Sequence, residues 1–97
     1  MHEYQKLINE VEKVLLPLGF HKAREDLESD YCGSMLTIYA SESKRYMVEW
    51  DGEEGFGAIQ NWSGDKWVQF DTIAIEGTEE QFEEKSKKLI SELRTSL

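Results

Sequence analysis

Between Glu3 and Gly19, in EYQKLINEVEKVLLPLG, apolar side chains fall at Tyr4, Leu7, Ile8, Val11, Val14, Leu15 and Leu18. That spacing, with Gln5, Lys6, Asn9, Glu12 and Lys13 opposite, predicts an amphipathic helix. Pro17 and Gly19 predict where it stops: the residue before a proline resists helical torsions, and glycine accepts the left-handed cap. Residues 20–34 have no period and read as a connection, with Phe20 folded back on the core. From Met35 the period changes to two. In MLTIYA, Leu36, Ile38 and Ala40 share one face and Met35, Thr37 and Tyr39 the other. In RYMVEW, Tyr46, Val48 and Trp50 lie opposite Arg45, Met47 and Glu49. FGAIQNW and KWVQFDTIAIEG follow, and short polar or glycine-bearing turns separate all of these runs. An antiparallel meander of four strands is the economical reading, with Asp71-Thr72 marking a bulge or a break into two short strands. The segment from Gly77 to Leu97 closes the chain as a second helix, with Thr78 and Gln81 as a capping box and Phe82, Leu89, Ile90, Leu93 and Leu97 as its buried stripe. The expected fold is a single α+β domain over residues 1–97, ordered α-β-β-β-β-α: a four- to five-stranded antiparallel sheet with both helices packed on one face.

One stretch stands apart. EWDGEEGFGAIQNW, residues 49–62, sets the carboxylates of Asp51, Glu53 and Glu54 among glycines, between Trp50 and Trp62. DGEEG is first a hairpin turn, for which Gly52 and Gly55 supply unusual torsions. Gly57, inside the following strand, packs nothing itself and predicts a bulge or the close approach of a ring, that of Trp50 or of Trp62. Trp50 continues the Tyr46–Val48 face and belongs to the core. Trp62 and Trp67 flank SGDK and are placed to pair across that turn. If the helices cover one face of the sheet, the other is open, and its candidates are Met35, Thr37, Tyr39, Met47, Glu49 and one of those two tryptophans. Aromatic and methionine side chains beside carboxylates on a surface are the composition of a protein-binding patch; packing under residues 20–34 is the plainer alternative.

Charge narrows the choice of partner. The chain carries a net charge of −9, and between Met47 and Glu84 there are eleven acids against one base, Lys66. The remainder holds nine acids and ten bases. A polyanionic partner, whether nucleic acid or an anionic membrane, is disfavoured and a basic one is suited, although acidity also serves plain solubility. Glu83 with Lys87 and Glu84 with Lys88 are four-apart pairs that account for the EEQFEEKSKK run as a solvated helix face. The first residues show no basic-then-apolar order, no segment has the length of a membrane span, and Cys32 is a lone cysteine; all three fit a cytoplasmic protein.

A search for catalytic groups ends without a set. There is no nucleophile elbow, phosphate loop, HExxH or paired CxxC. His2 lies at the terminus, and His21 with Asp26 or Asp30 would make a dyad, against which stands an ordinary surface histidine. DGEEGFG departs from a calcium-binding loop at its second residue, leaving at most a loose calcium site at Asp51, Glu53 and Glu54. No enzyme activity, cofactor or metal is expected.

With its size, acidity, helix–meander–helix order, LLPLGF helix exit and VEWDGEEGFG stretch, the chain resembles the small acidic immunity proteins that bacteria make against their own contact-dependent or polymorphic toxins. That resemblance spans most of the chain and implies tight binding to a toxin domain, often a basic nuclease. Asp51, Glu53, Glu54 and Asp65 would then meet lysines or arginines, with Trp62 and Trp67 as aromatic anchors. The protein would be a monomer or weak dimer with a protein partner. The alternatives are a secretion chaperone or adaptor for a basic effector, and a small enzyme using His21 with nearby carboxylates.

Overall fold

The computed structural model describes residues 3–27, 33–75 and 77–97. The apolar stripe of the first segment forms α1 (Glu3–Leu15), and Tyr4, Leu7, Ile8, Val11, Val14 and Leu15 are all buried along it. Pro17 converts the exit into a single 3-10 turn (Leu16–Leu18), closed by Gly19 at φ 90°. Leu18 is left outside the stripe, 57% exposed, because that turn rotates it off the helix face.

Six strands follow: β1 (His21–Asp26), β2 (Met35–Ala40), β3 (Arg45–Asp51), β4 (Phe56–Trp62), β5 (Trp67–Gln69) and β6 (Ala74–Ile75), and then α2 (Glu79–Ser96). They form an antiparallel sheet in the order β1-β2-β3-β4-β5, with β6 also pairing β4. The architecture is therefore α+β with an open antiparallel sheet and a helix from each end of the chain, as the periodicity predicts. The last strand segment divides at the expected place. β5 pairs the second half of β4 and β6 the first. Between them the Phe70 amide donates to the Ile59 carbonyl at 2.9 Å, and Thr72 donates to the Glu92 carboxylate from both its amide and its hydroxyl.

Two expectations are corrected. The stretch read as a connection contains β1, paired with β2 from His21 against Ala40 to Asp26 against Leu36, with an irregularity between Lys22 and Arg24. Every residue of β1 is exposed, so it carries no apolar alternation from which a strand could be read. The faces of β2 are also the reverse of those expected. Thr37 lies opposite Val48 and Tyr39 opposite Tyr46, and residues directly opposite in an antiparallel pair point the same way. Met35, Thr37 and Tyr39 therefore face the helices, and Thr37 and Tyr39 are fully buried. Their polar atoms are satisfied by α1: the Tyr4 hydroxyl shares a 2.6 Å hydrogen bond with that of Thr37 and donates to the Val48 carbonyl at 3.2 Å. The Tyr39 hydroxyl donates to Glu12 at 2.7 Å.

α2 starts at Thr78, whose hydroxyl accepts from the Gln81 amide at 3.2 Å. Phe82, Ser86, Leu89 and Leu93 are buried, Ile90 partly so, while Leu97 lies beyond the stripe at 40% exposure. The two helices run in the same direction. Leu7 and Phe82 both pack at the Trp50–Gly57 end of the sheet, whereas Glu12 and Ser96 bond Tyr39 and Tyr46 at the other end. There Lys44 donates to the Ser96 carbonyl at 2.5 Å, placing a cation on the negative end of the helix dipole. Phe20 folds back as expected, its ring 5.7 Å from that of Tyr46. The ring over Gly57 is that of Trp50.

Candidate functional site

With both helices on one face, the other carries Leu36 and Ile38 from β2, Met47, Glu49 and Asp51 from β3, Phe56 and Gln60 from β4, and the facing pair Trp62 and Trp67. Among the described residues no helix or strand layer covers this face. Leu36, Ile38, Met47, Phe56, Trp62 and Trp67 are each partly exposed. Sheet neighbours hide their edges and leave their outer surfaces to solvent. Trp62 and Trp67 pair across the β4–β5 turn as expected, edge to face, with ring centres 5.3 Å apart and planes at 62°. Each indole is thereby fixed by the other, an arrangement worth roughly 0.5–1.5 kcal/mol beyond its buried area.

The carboxylates are distributed differently from the expectation. The β3–β4 turn holds Asp51, Glu53 and Glu54, and the β4–β5 turn holds Asp65. These turns cap opposite ends of β4, whose seven residues separate them by roughly 20 Å. Asp65 stands beside the indoles, while Asp51, Glu53 and Glu54 stand at the far end, so the expected convergence of all four around the tryptophans does not occur. Two of them also hold their own turns. One oxygen of Asp51 accepts from the amides of Glu53 and Glu54, both at 3.0 Å, and the Gly55 amide, at φ 74°, donates to the Asp51 carbonyl at 2.8 Å. Gly52 does not share that positive φ. Asp65 accepts from the Ser63 hydroxyl at 2.9 Å.

Another acidic grouping replaces the expected one. Asp26 lies opposite Leu36 on β1–β2, and Leu36 opposite Glu49 on β2–β3, so two carboxylates flank one leucine across three strands. With Asp51 and Phe56 they line a depression of about 520 Å³ at this end of the open face. Glu49 is oriented by a short hydrogen bond from the Gln60 amide. Sequence reasoning offers Asp26 only as a partner of His21, and its place beside Glu49 was hidden because β1 was; the signal that finds it is the pairing partner, not any period. The open face therefore has an acidic end at Asp26, Glu49 and Asp51 and an aromatic end at Trp62 and Trp67, joined by Ile38, Met47 and Gln60.

The other candidate groups fall apart. His21 and Asp26 occupy opposite ends of one six-residue strand, about 17 Å apart, so they form no dyad. Asp30, Cys32 and His2 lie outside the described residues. Among the described residues no three His, Cys, Asp or Glu side chains are gathered as a metal site. The groups whose proton affinity is displaced lie on the helical side. Burial pushes the hydroxyls of Tyr4 and Tyr39 well above the usual range, the Glu12 hydrogen bond adding to the effect on Tyr39. The hydrogen bond from Lys22 to Glu25, 2.6 Å away, holds that ammonium above its ordinary value. Among the described residues no helix is long and apolar enough to cross a membrane. Comparison of the chain with protein-family models, with curated proteins and with solved structures gave no match.

Proposed function

We propose that this chain is a non-catalytic protein-binding module, an immunity-type inhibitor that docks through its open sheet face onto a basic toxin domain in the bacterial cytoplasm. The observation that carries this reading is the uncovered face itself, where a fixed indole pair and a run of half-buried apolar side chains end in three carboxylates. Buried aromatic anchors supply most of the binding energy in such interfaces, and rim charges select the partner and speed encounter. A lysine or arginine of the partner fits the depression at Asp26, Glu49 and Asp51, with its methylene stem along Leu36 and Phe56.

The test is genetic and biochemical. The chain is co-expressed with the product of the gene beside its own, and growth is scored with wild-type protein and with the Trp62→Ala/Trp67→Ala variant. Protection by the wild type that the double variant loses while remaining folded is the expected outcome. A neighbouring product that is harmless alone, or protection that survives removal of both indoles, would sink this assignment.

A further inference from the structure

On the side away from the open face, a groove of about 1070 Å³ runs between α1 and α2. Its α2 wall is the stripe Glu83, Ser86, Lys87, Ile90, Ser91 and Arg94, about 17 Å long, and its apolar part is completed by Leu16, Pro17 and Phe82. Leu16 is 48% exposed there. Along the α1 wall Lys13 pairs with Glu10 at 3.0 Å and Glu12 accepts from Tyr39, while Lys6 has no ion-pair partner among the described residues. Glu83 and Arg94 have no ion-pair partner among the described residues. Ser86 is 8% exposed, and its hydroxyl oxygen has no hydrogen-bond partner among them.

We infer that the occupant of this groove is α2 of a second copy of the chain, laid antiparallel about a two-fold axis between Lys88 and Leu89. The stripe is self-complementary when reversed. An axis at that point sets Glu83 of each copy against Arg94 of the other, Ser86 against Ser91, and the stem of Lys87 over Ile90. An isologous contact needs opposite charges at equal distances from its axis. Glu83 and Arg94 meet that requirement, and nothing about a foreign partner would demand that symmetry. The Ser86 hydroxyl itself is enclosed within its own copy and takes no part in the contact. The contact is independent of the open sheet face, so the dimer carries two such faces pointing outward. A net charge of −9 on each copy opposes association, and the dimer is accordingly a weak one.

Sedimentation equilibrium over a range of concentrations at about 0.15 M salt tests this. For the wild type the mass rises from 11.3 kDa towards twice that value. Glu83→Arg or Arg94→Glu alone weakens association about tenfold or more, since each creates two repulsive contacts. The Glu83→Arg/Arg94→Glu double variant restores it, because the swap preserves complementarity. Trp62→Ala leaves it unchanged. A wild type that stays at monomer mass throughout, single reversals without effect, a double variant no better than the singles, or loss of the dimer in Trp62→Ala would each overturn the inference. All four variants alter side chains on the surface, and circular dichroism matched to the wild type separates lost association from lost fold.

Discussion

Gly57 is a single residue on which the packing of the core turns. A Cβ at this position would stand 3.0 Å from Cε3 of Trp50 and 3.1 Å from Cδ2 of Leu7, closer than side chains normally approach. Trp50 is buried and Leu7 is inaccessible, so neither has room to withdraw. Alanine suits a strand better than glycine does, but that gain is smaller than the cost of displacing a packed indole. Gly57→Ala is therefore expected to lower stability by about 1–3 kcal/mol, read from urea denaturation midpoints. Unchanged stability would show that the indole shifts freely. This is the one position where sequence reasoning predicted a close ring before any fold was known, because a glycine inside an otherwise apolar strand needs a reason.

At the level of elements, the contact between α1 and β2 is made partly by polar groups. Tyr39 reaches across to Glu12, which also lies 3.7 Å from Lys22 on β1. Because burial and Glu12 raise the proton affinity of Tyr39 in the fold, the folded state holds that proton more tightly than the unfolded chain does. The sign follows: the stabilisation is complete below the unfolded tyrosine value of about 10 and is lost as pH climbs above it. Tyr4 acts in the same direction. Denaturation midpoints measured from about pH 8 to about pH 11 should fall steeply for the wild type and less steeply for Tyr39→Phe. Identical slopes would mean that Tyr39 titrates as it does in the unfolded chain.

The same residues explain what was legible beforehand. α1, α2 and β3 were readable because each sets one apolar face against one wet face, and β4 because turn residues bound an apolar run. β2 was readable as a strand but not in its orientation. Leu36 and Ile38 are more apolar than Thr37, yet the partners in register decide which face turns inward, and Tyr4 makes a buried Thr37 tolerable. β1 was not readable at all, since a fully exposed edge strand has no face to bury. Its charges and its irregularity beside Lys22 are what keep such an edge from pairing with another chain. The indole pair of the candidate site was legible from the turn between the tryptophans. The acidic depression was not, because it is assembled across three strands whose register no local pattern encodes.

For the whole molecule, the separation of the two ends of the open face allows charge and contact to be told apart. Glu53 and Glu54 stand roughly 20 Å from the indoles, beyond the ~10 Å screening length at 0.1 M salt, so they act on approach more than on the formed contact. Glu53→Lys/Glu54→Lys is expected to slow association with the basic partner about tenfold at low salt and to flatten its salt dependence, with dissociation little changed. Trp62→Ala or Trp67→Ala should instead speed dissociation, at a cost of about 2 kcal/mol. Surface plasmon resonance across a salt series distinguishes the two, and an association rate indifferent to salt would remove electrostatic steering from the account. A dimer that gives no protection against the neighbouring gene product would turn the reading towards an adaptor for a basic effector.

That α1 lies beside α2 and against β3 and β4 bears on how the chain is made. Leu7 is closed in by Trp50 and the backbone at Gly57, and the far side of the same cluster is formed by Phe82, Leu89 and Leu93. During synthesis α1 leaves the ribosome with its greasy stripe bare and must wait for the strands and α2 before that stripe is sheltered. α1 thus precedes its packing partners in synthesis yet is fully enclosed only after α2 has emerged, and cooperative folding of this domain is deferred until then.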